Sequence, residues 1–268
     1  MSSVDLGDRG VVEYTVTGDG PPVVLIPGLG QRRSGWGEVA LEIGPLYRVY
    51  SCDLRGYGGG NAPWQREFTM ADLARDMRLF MDALGIGGAA VVGHSEGGFV
   101  ALELALACPD RVESLVLAAS ASYTDEYGRT LLRHWRALAE EKSGPQLLID
   151  DLFLWNFSPH FCNTRTREMK ILKSLVRRED FPLKAFIQHT LACEGHDTRS
   201  RLPSLKTPTL LLGGASDIVM TLRHNVLLHE LMPNSRIVTT PNVGHQLVAE
   251  APEAVVPTIL EHLAQWKT

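Results

Sequence analysis

Short apolar runs alternate with longer stretches of helical periodicity through the first 120 residues of the chain. Val11–Thr17 is rich in β-branched residues and stops at Gly18-Asp19-Gly20, a turn signal. Val23–Ile26, Tyr47–Cys52, Ala89–Val92 and Ser114–Ala118 follow. Runs that are apolar on both faces suit strands of a parallel sheet covered by helices. Between them, Leu73, Met77, Phe80, Met81 and Leu84 recur at spacings of three and four. That period predicts a helix over Thr69–Leu84, with Thr69 as N-cap and Gly85 as its stop. A second helix is expected from about Gly97 to Ala107, ended by Cys108-Pro109. The alternation implies an α/β fold with a doubly wound, mostly parallel sheet, whose right-handed crossovers gather loops at the carboxyl ends of the strands.

From about Tyr123 to Ser204 the alternation breaks and only helical patterns remain. Leu131, Trp135 and Leu138 form one apolar helical face, and Ile171, Leu172 and Leu175 another. Strand signals return at Thr209–Leu212 and Arg236–Thr239, with helices expected over Thr221–Leu231 and Glu253–Trp266. The organisation expected is a core made of residues 1–122 and 205–268, with residues 123–204 inserted as a helical cap. Its exit at the carboxyl edge of the sheet places the cap over any site there. It carries Trp135, Phe153, Trp155, Phe157 and Phe161. Trp135, Phe153 and Trp155 are the expected substrate contacts, because a small-molecule pocket needs apolar walls.

Composition narrows the choices. A chain of 268 residues, 44% hydrophobic and 21% charged, suits one globular domain with an insertion. Its 26 basic and 31 acidic residues give a net charge of -5, which argues against a nucleic-acid partner. No apolar run approaches the ~20 residues needed to span a bilayer, and none early in the chain suits a secretory signal. A soluble, cytoplasmic protein without a membrane partner is the expectation. Cys52, Cys108, Cys162 and Cys193 form no C-x-x-C pair. There is no P-loop and no H-E-x-x-H. The glycine runs at Gly56–Asn61 and Gly85–Ala90 fail the dinucleotide pattern or its strand-before-helix context. Neither a cofactor nor a metal is expected.

The chemistry concentrates in Gly93-His94-Ser95-Glu96-Gly97, a G-x-S-x-G between an expected strand and an expected helix. That context strains Ser95 and lifts its hydroxyl above the sheet beside a helix N-terminus, where developing negative charge is stabilised. A neutral serine needs a base. His94 should point away from the reacting centre. His134, His160, His189 and His196 fall in the insertion, and His224, His229 and His262 in expected helices. His245 follows the last strand and reaches the same sheet edge. Asp217, at the end of the neighbouring strand, is the expected orienting carboxylate, with Asp125 or Glu126 as the alternative. The order Ser, Asp, His is the one expected when the nucleophile sits on a strand-to-helix turn. The N–H groups of Glu96 and of Leu29, within Pro27-Gly28-Leu29-Gly30, are the expected oxyanion donors. Arg32 and Arg33 read as a solvated pair, or as contacts for a substrate carboxylate.

Together these segments resemble the α/β-hydrolase superfamily almost end to end. Ile26-Pro27-Gly28-Leu29-Gly30 with Trp36 looks like its oxyanion segment, with Pro27 where many members carry histidine. Asp53-Leu54-Arg55-Gly56-Tyr57-Gly58 looks like its D-x-R-G-x-G turn, continued here by Gly59-Gly60 in place of Arg-Ser. Ser95 separates the chain from branches with an aspartate nucleophile. The closing segments are most similar to the 3-oxoadipate enol-lactonase-like branch. The resemblance implies an α/β-hydrolase fold and a carboxylesterase or lactonase acting on a small ester or lactone, or on an amide or carbamate, through an acyl-enzyme. Two other readings are a slow or inactive ligand receptor on the same fold and a cofactor-free perhydrolase or haloperoxidase. Turnover of a generic aryl ester separates the receptor from the enzyme.

Overall fold

The protein is described here by a computed structural model covering residues 2–58, 67–141, 144–178 and 181–266. In chain order the strands and helices begin with β1 (Ser2–Asp5), β2 (Val11–Thr17), β3 (Pro22–Ile26), α1 (Gly37–Ile43), β4 (Arg48–Cys52) and α2 (Met70–Ala83). Next come β5 (Ala89–His94), α3 (Glu96–Ala107) and β6 (Val112–Ala118). Five helices follow: α4 (Glu126–Glu140), α5 (Gly144–Asn156), α6 (Pro159–Thr164), α7 (Thr166–Arg178) and α8 (Leu183–Glu194). The chain closes with β7 (Thr209–Gly214), α9 (Leu222–Leu231), β8 (Ser235–Thr240), α10 (Leu247–Glu250) and α11 (Pro252–Trp266).

The strands form one sheet in the order β1-β2-β4-β3-β5-β6-β7-β8. The pairs from β4 to β8 are parallel, and β1 and β2 join antiparallel at one edge. Successive residues of a strand face opposite sides. Val24 and Ile26 therefore enter the core layer shared with Met77, Phe80 and Phe99, while Val23 and Leu25 enter the layer shared with Val39, Ile43 and Ile259. This double burial is why the strands read as unbroken apolar runs. Helix α2 starts at a capping box: the Asp72 N–H donates to Thr69 Oγ1, and Asp72 Oδ2 accepts from the Thr69 N–H. It stops at Gly85, whose φ of +66° suits a residue without Cβ.

Helices α4–α8 occupy the expected insertion. Leu131 and Trp135 are buried; on α7, Ile171 and Leu175 are each 49% exposed, and Leu172 and Leu175 border a cavity. Strand β1 is an addition that the apolar pattern does not announce. Gly59, Gly60 and Asn61 lie outside the described residues. Among the described residues, no helix is long and apolar enough to cross a membrane.

Candidate active site

β5 enters the centre of the sheet and turns abruptly into α3 at Ser95, whose φ is +53° and ψ −117°. A left-handed φ on a non-glycine residue costs free energy and persists only when its surroundings hold it. Here the Ser95 N–H donates to the Ala118 carbonyl at 2.8 Å, and Ser120 Oγ donates to the Ser95 carbonyl at 3.0 Å. The flanking glycines are sterically required. A Cβ on Gly93 would lie 2.3 Å from the Gly97 carbonyl oxygen, and one on Gly97 would lie 2.2 Å from that of Ile26.

Ser95, Asp217 and His245 converge at the carboxyl edge of β5, β7 and β8. Ser95 Oγ is 2.9 Å from His245 Nε2, and His245 Nδ1 is 2.9 Å from Asp217 Oδ2. All three residues are buried. Asp217 Oδ1 accepts from the N–H groups of Val219 and Met220, both at 2.8 Å, so the carboxylate cannot rotate without losing bonds. The alternative acids are elsewhere engaged or remote. Asp125 caps α4 through the Gly128 N–H, and Glu126 pairs with Arg133.

The loop after β3 meets the N-terminus of α3. In that loop the Gly28 N–H donates to Gln31 Oε1 and the Gly30 N–H to Tyr57 Oη, at 3.0 and 3.1 Å. The Leu29 N–H between them has no protein acceptor among the described residues. The Glu96 N–H opens α3, where no intrahelical carbonyl is in reach. Gln31 Nε2 also donates to Gln246 Oε1 at 2.7 Å, tying this loop to the residue after His245. No local pattern singles out a contact between residues 215 positions apart.

His94 stands behind His245 instead of turning away from the site. Its Nε2 donates to the His245 carbonyl at 2.9 Å, with ring centroids 5.1 Å apart. Burial, and then the neighbouring His245, lower its pKa to about 4, which keeps it neutral near pH 7. The side chain of Glu96 turns inward, with Oε1 2.5 Å from His189 Nδ1. Arg33 is not solvated: it forms a close pair with Asp53 and reaches Glu13 at 3.1 Å. Burial is the main cause that raises the Asp53 carboxyl above its usual range, and Arg33 opposes it.

Above these groups lies a cavity of about 510 Å³. Trp135 and Phe153 line it, and so do Leu131, Phe157 and Val176. Trp155 does not. Two residues along a helix project to nearly opposite sides, so Phe153 and Trp155 cannot share a face, whereas Phe153 and Phe157 can. Trp155 instead meets Tyr127 edge-on at 6.4 Å, while Phe153 and Phe157 stack at 5.2 Å. Trp135 donates its indole N–H to Asp151 at 2.9 Å, which leaves apolar ring surface for the cavity.

A parallel sheet with a strained serine between its central strand and the next helix, facing a histidine and an aspartate from later strand ends, is the arrangement of an α/β hydrolase. Residues 21–252 match the family described as alpha/beta hydrolase fold, and the chain belongs to it. It is similar to a protein of Azorhizobium caulinodans named as a carbamate hydrolase, RutD, at 26% identity over 90% of each chain. It is also similar to the pimeloyl-acyl-carrier protein methyl ester esterase of Nitrosomonas europaea, at 26% identity over 91% of this chain and 96% of that one. Among solved structures, the enol-lactonase of Burkholderia xenovorans superposes with a TM-score of 0.89 at 23% identity, covering 98% of this chain and all of the other.

Proposed function

We propose that this hydrolase cleaves a small ester or lactone by acyl transfer, with Ser95 as nucleophile, His245 as general base and Asp217 as its orienting carboxylate. The observation that carries this reading is the unbroken chain of 2.9 Å contacts from Ser95 Oγ through His245 to Asp217, starting at a strained residue. His245 takes the Ser95 proton as Oγ attacks the carbonyl, and Asp217 stabilises the imidazolium that results. The N–H groups of Leu29 and Glu96 receive the oxyanion, aided by the N-terminus of α3. His245 then returns the proton to the departing alcohol, and water resolves the acyl-enzyme by the same route. The relatives named for esters, a lactone and a carbamate fit a site that needs only a carbonyl and a leaving group.

Residues 123–204 act in this reading as a cap on a core of residues 1–122 and 205–268. Trp135 and Phe153 hold the apolar part of the substrate and keep bulk water out. A cytoplasmic location suits a small soluble substrate. The test is intact-mass spectrometry after treatment with an alkyl fluorophosphonate. One adduct should form and be absent in Ser95→Ala; labelling that survives the substitution removes Ser95 as nucleophile. A crystal structure of the adduct checks the cap, since an alkyl chain directed away from Trp135 and Phe153 would overturn it.

A further inference from the structure

Glu96 presents an electrostatic difficulty. Its N–H is one of the two oxyanion donors in the reading above, and this inference rests on that reading. Its side chain carries a carboxyl group that is 1% exposed. An unneutralised carboxylate within one side-chain length of the oxyanion would oppose the negative charge that the site must stabilise, and low polarity would strengthen the opposition. Glu96 Oε2 has no nitrogen or oxygen hydrogen-bond partner among the described residues, so nothing cationic meets it. The neighbouring Cys193 thiol supplies no charge, since burial and Glu96 hold its pKa well above the ordinary range.

His189, from α8, answers this. It is fully buried, with Nδ1 2.5 Å from Glu96 Oε1 and Nε2 2.8 Å from the Arg55 carbonyl. A carbonyl only accepts, so Nε2 carries a hydrogen. One further proton must then lie between Nδ1 and Oε1, because two lone pairs would repel at that distance. Whichever atom holds it, the pair is neutral overall. The His189 ring is fixed against Tyr57 at 4.5 Å and Phe68 at 4.9 Å. Tyr57 in turn accepts from the Gly30 N–H, next to the second oxyanion donor, Leu29. One buried cluster therefore backs both halves of the oxyanion hole.

We infer that His189 is a positioning residue. Through the proton it shares with Glu96, it cancels the carboxylate's charge behind the oxyanion hole and fixes the Glu96 backbone, which makes an inserted helix part of transition-state stabilisation. A residue that only fills space would be needed equally at every stage of the reaction. This pair matters most when the oxyanion exists, so its loss should appear in kcat and not in KM.

The experiment compares His189→Gln, Glu96→Gln and the double variant on an aryl ester, with a boronic acid as tetrahedral-state mimic. His189→Gln should lower kcat by about 10²-fold, as loss of one oxyanion donor does, with KM within about threefold and boronate affinity falling alongside kcat. The double variant, which has no carboxylate left to neutralise, should recover at least about tenfold over His189→Gln. A kcat within threefold of wild type in His189→Gln, or a double variant no better than that single one, overturns the inference. Should His189→Gln not fold, His189→Asn decides by the same readouts, since it too removes the shared proton. A kcat loss of about tenfold or more at constant KM, relieved when Glu96→Gln is added, supports the inference, and an unchanged kcat or a loss not relieved by Glu96→Gln overturns it. Failure of the nucleophile reading is separately visible, because fluorophosphonate labelling of wild type would then survive in Ser95→Ala.

Discussion

Asp217 divides its two oxygens between different tasks, and the division predicts what an amide would do there. Oδ1 is held by two backbone N–H groups at 2.8 Å, which leaves Oδ2 for His245 Nδ1. In Asp217→Asn the amide oxygen must stay on the backbone donors, so the NH₂ group faces Nδ1 and donates to it. The imidazole is then protonated on Nε2, the nitrogen that accepts the Ser95 proton in the proposed reaction. We expect kcat to fall by about 10⁴-fold with little change in melting temperature, on the precedent of other triads. Steady-state kinetics and a thermal melt check this, and near-normal turnover would transfer the role to Asp125 or Glu126. Ser95, Asp217 and His245 were legible in sequence because each sits within a few residues of a strand end, where a parallel sheet gathers its loops. His189 was not legible. It lies inside a helix of the insertion, and its partner Glu96 is 93 positions away in sequence. Trp155 was misplaced because aromatic content was read without helical phase.

The β5–α3 turn shows how two elements set the geometry of a third. A Cβ on Gly97 would lie 2.2 Å from the Ile26 carbonyl oxygen and 2.6 Å from that of Pro27. Both are backbone atoms at the root of the loop after β3, which carries the proposed oxyanion donor Leu29, and neither can swing aside as a side chain would. Gly97→Ala should therefore push that loop from α3, with a stability loss of about 1–3 kcal/mol for overpacking. Because the Leu29 N–H moves with the loop, kcat should drop about 10²-fold or more. Gly87→Ala is the control, since a Cβ there meets nothing within 4 Å. Urea titration and kcat on both variants decide the matter: a Gly97→Ala enzyme with wild-type turnover would show that the loop yields without consequence. The central strands were readable because double burial leaves an unbroken apolar run, and α2 because its cap and stop are both local. β1 was not, since only Val4 of its four residues is buried and its place depends on pairing with β2. On α7, helical spacing showed which residues align but not what they meet: Leu172 and Leu175 line the cavity, while Ile171 is 49% exposed.

Over the whole molecule, two buried histidines, one in the core and one where the inserted helices meet it, respond to pH together. The insertion leaves and returns side by side, with Tyr123 bridging Asp197 and the Thr124 N–H donating to the His196 carbonyl. At that junction the His196 ring stacks on Phe99 of α3 at 4.0 Å, with Nδ1 buried and unpartnered. Burial lowers its pKa to about 4, the same value as for His94 behind the candidate active site. Both start from 6.5 in the unfolded chain. Between pH 6.5 and about 4 the unfolded state therefore binds more protons than the folded one, and stability falls as pH falls. Above pH 6.5 both states are neutral at these positions and the contribution is complete. At pH 5 each histidine should have removed about 2 kcal/mol relative to pH 7, a substantial fraction of the 5–15 kcal/mol typical of a folded domain. Carboxylates titrate in the lower part of this range, so the variant comparison isolates the histidine share. His196→Phe keeps the stacking on Phe99 and cannot titrate. Its urea-unfolding free energy at pH 7 should fall modestly, for the lost bond to the Ala121 carbonyl, but the decrease from pH 7 to pH 5 should be smaller than that of wild type by about 2 kcal/mol. An identical decrease in the two proteins would mean that His196 is protonated in the folded state, and that the junction between insertion and core admits a charge that its burial argues against.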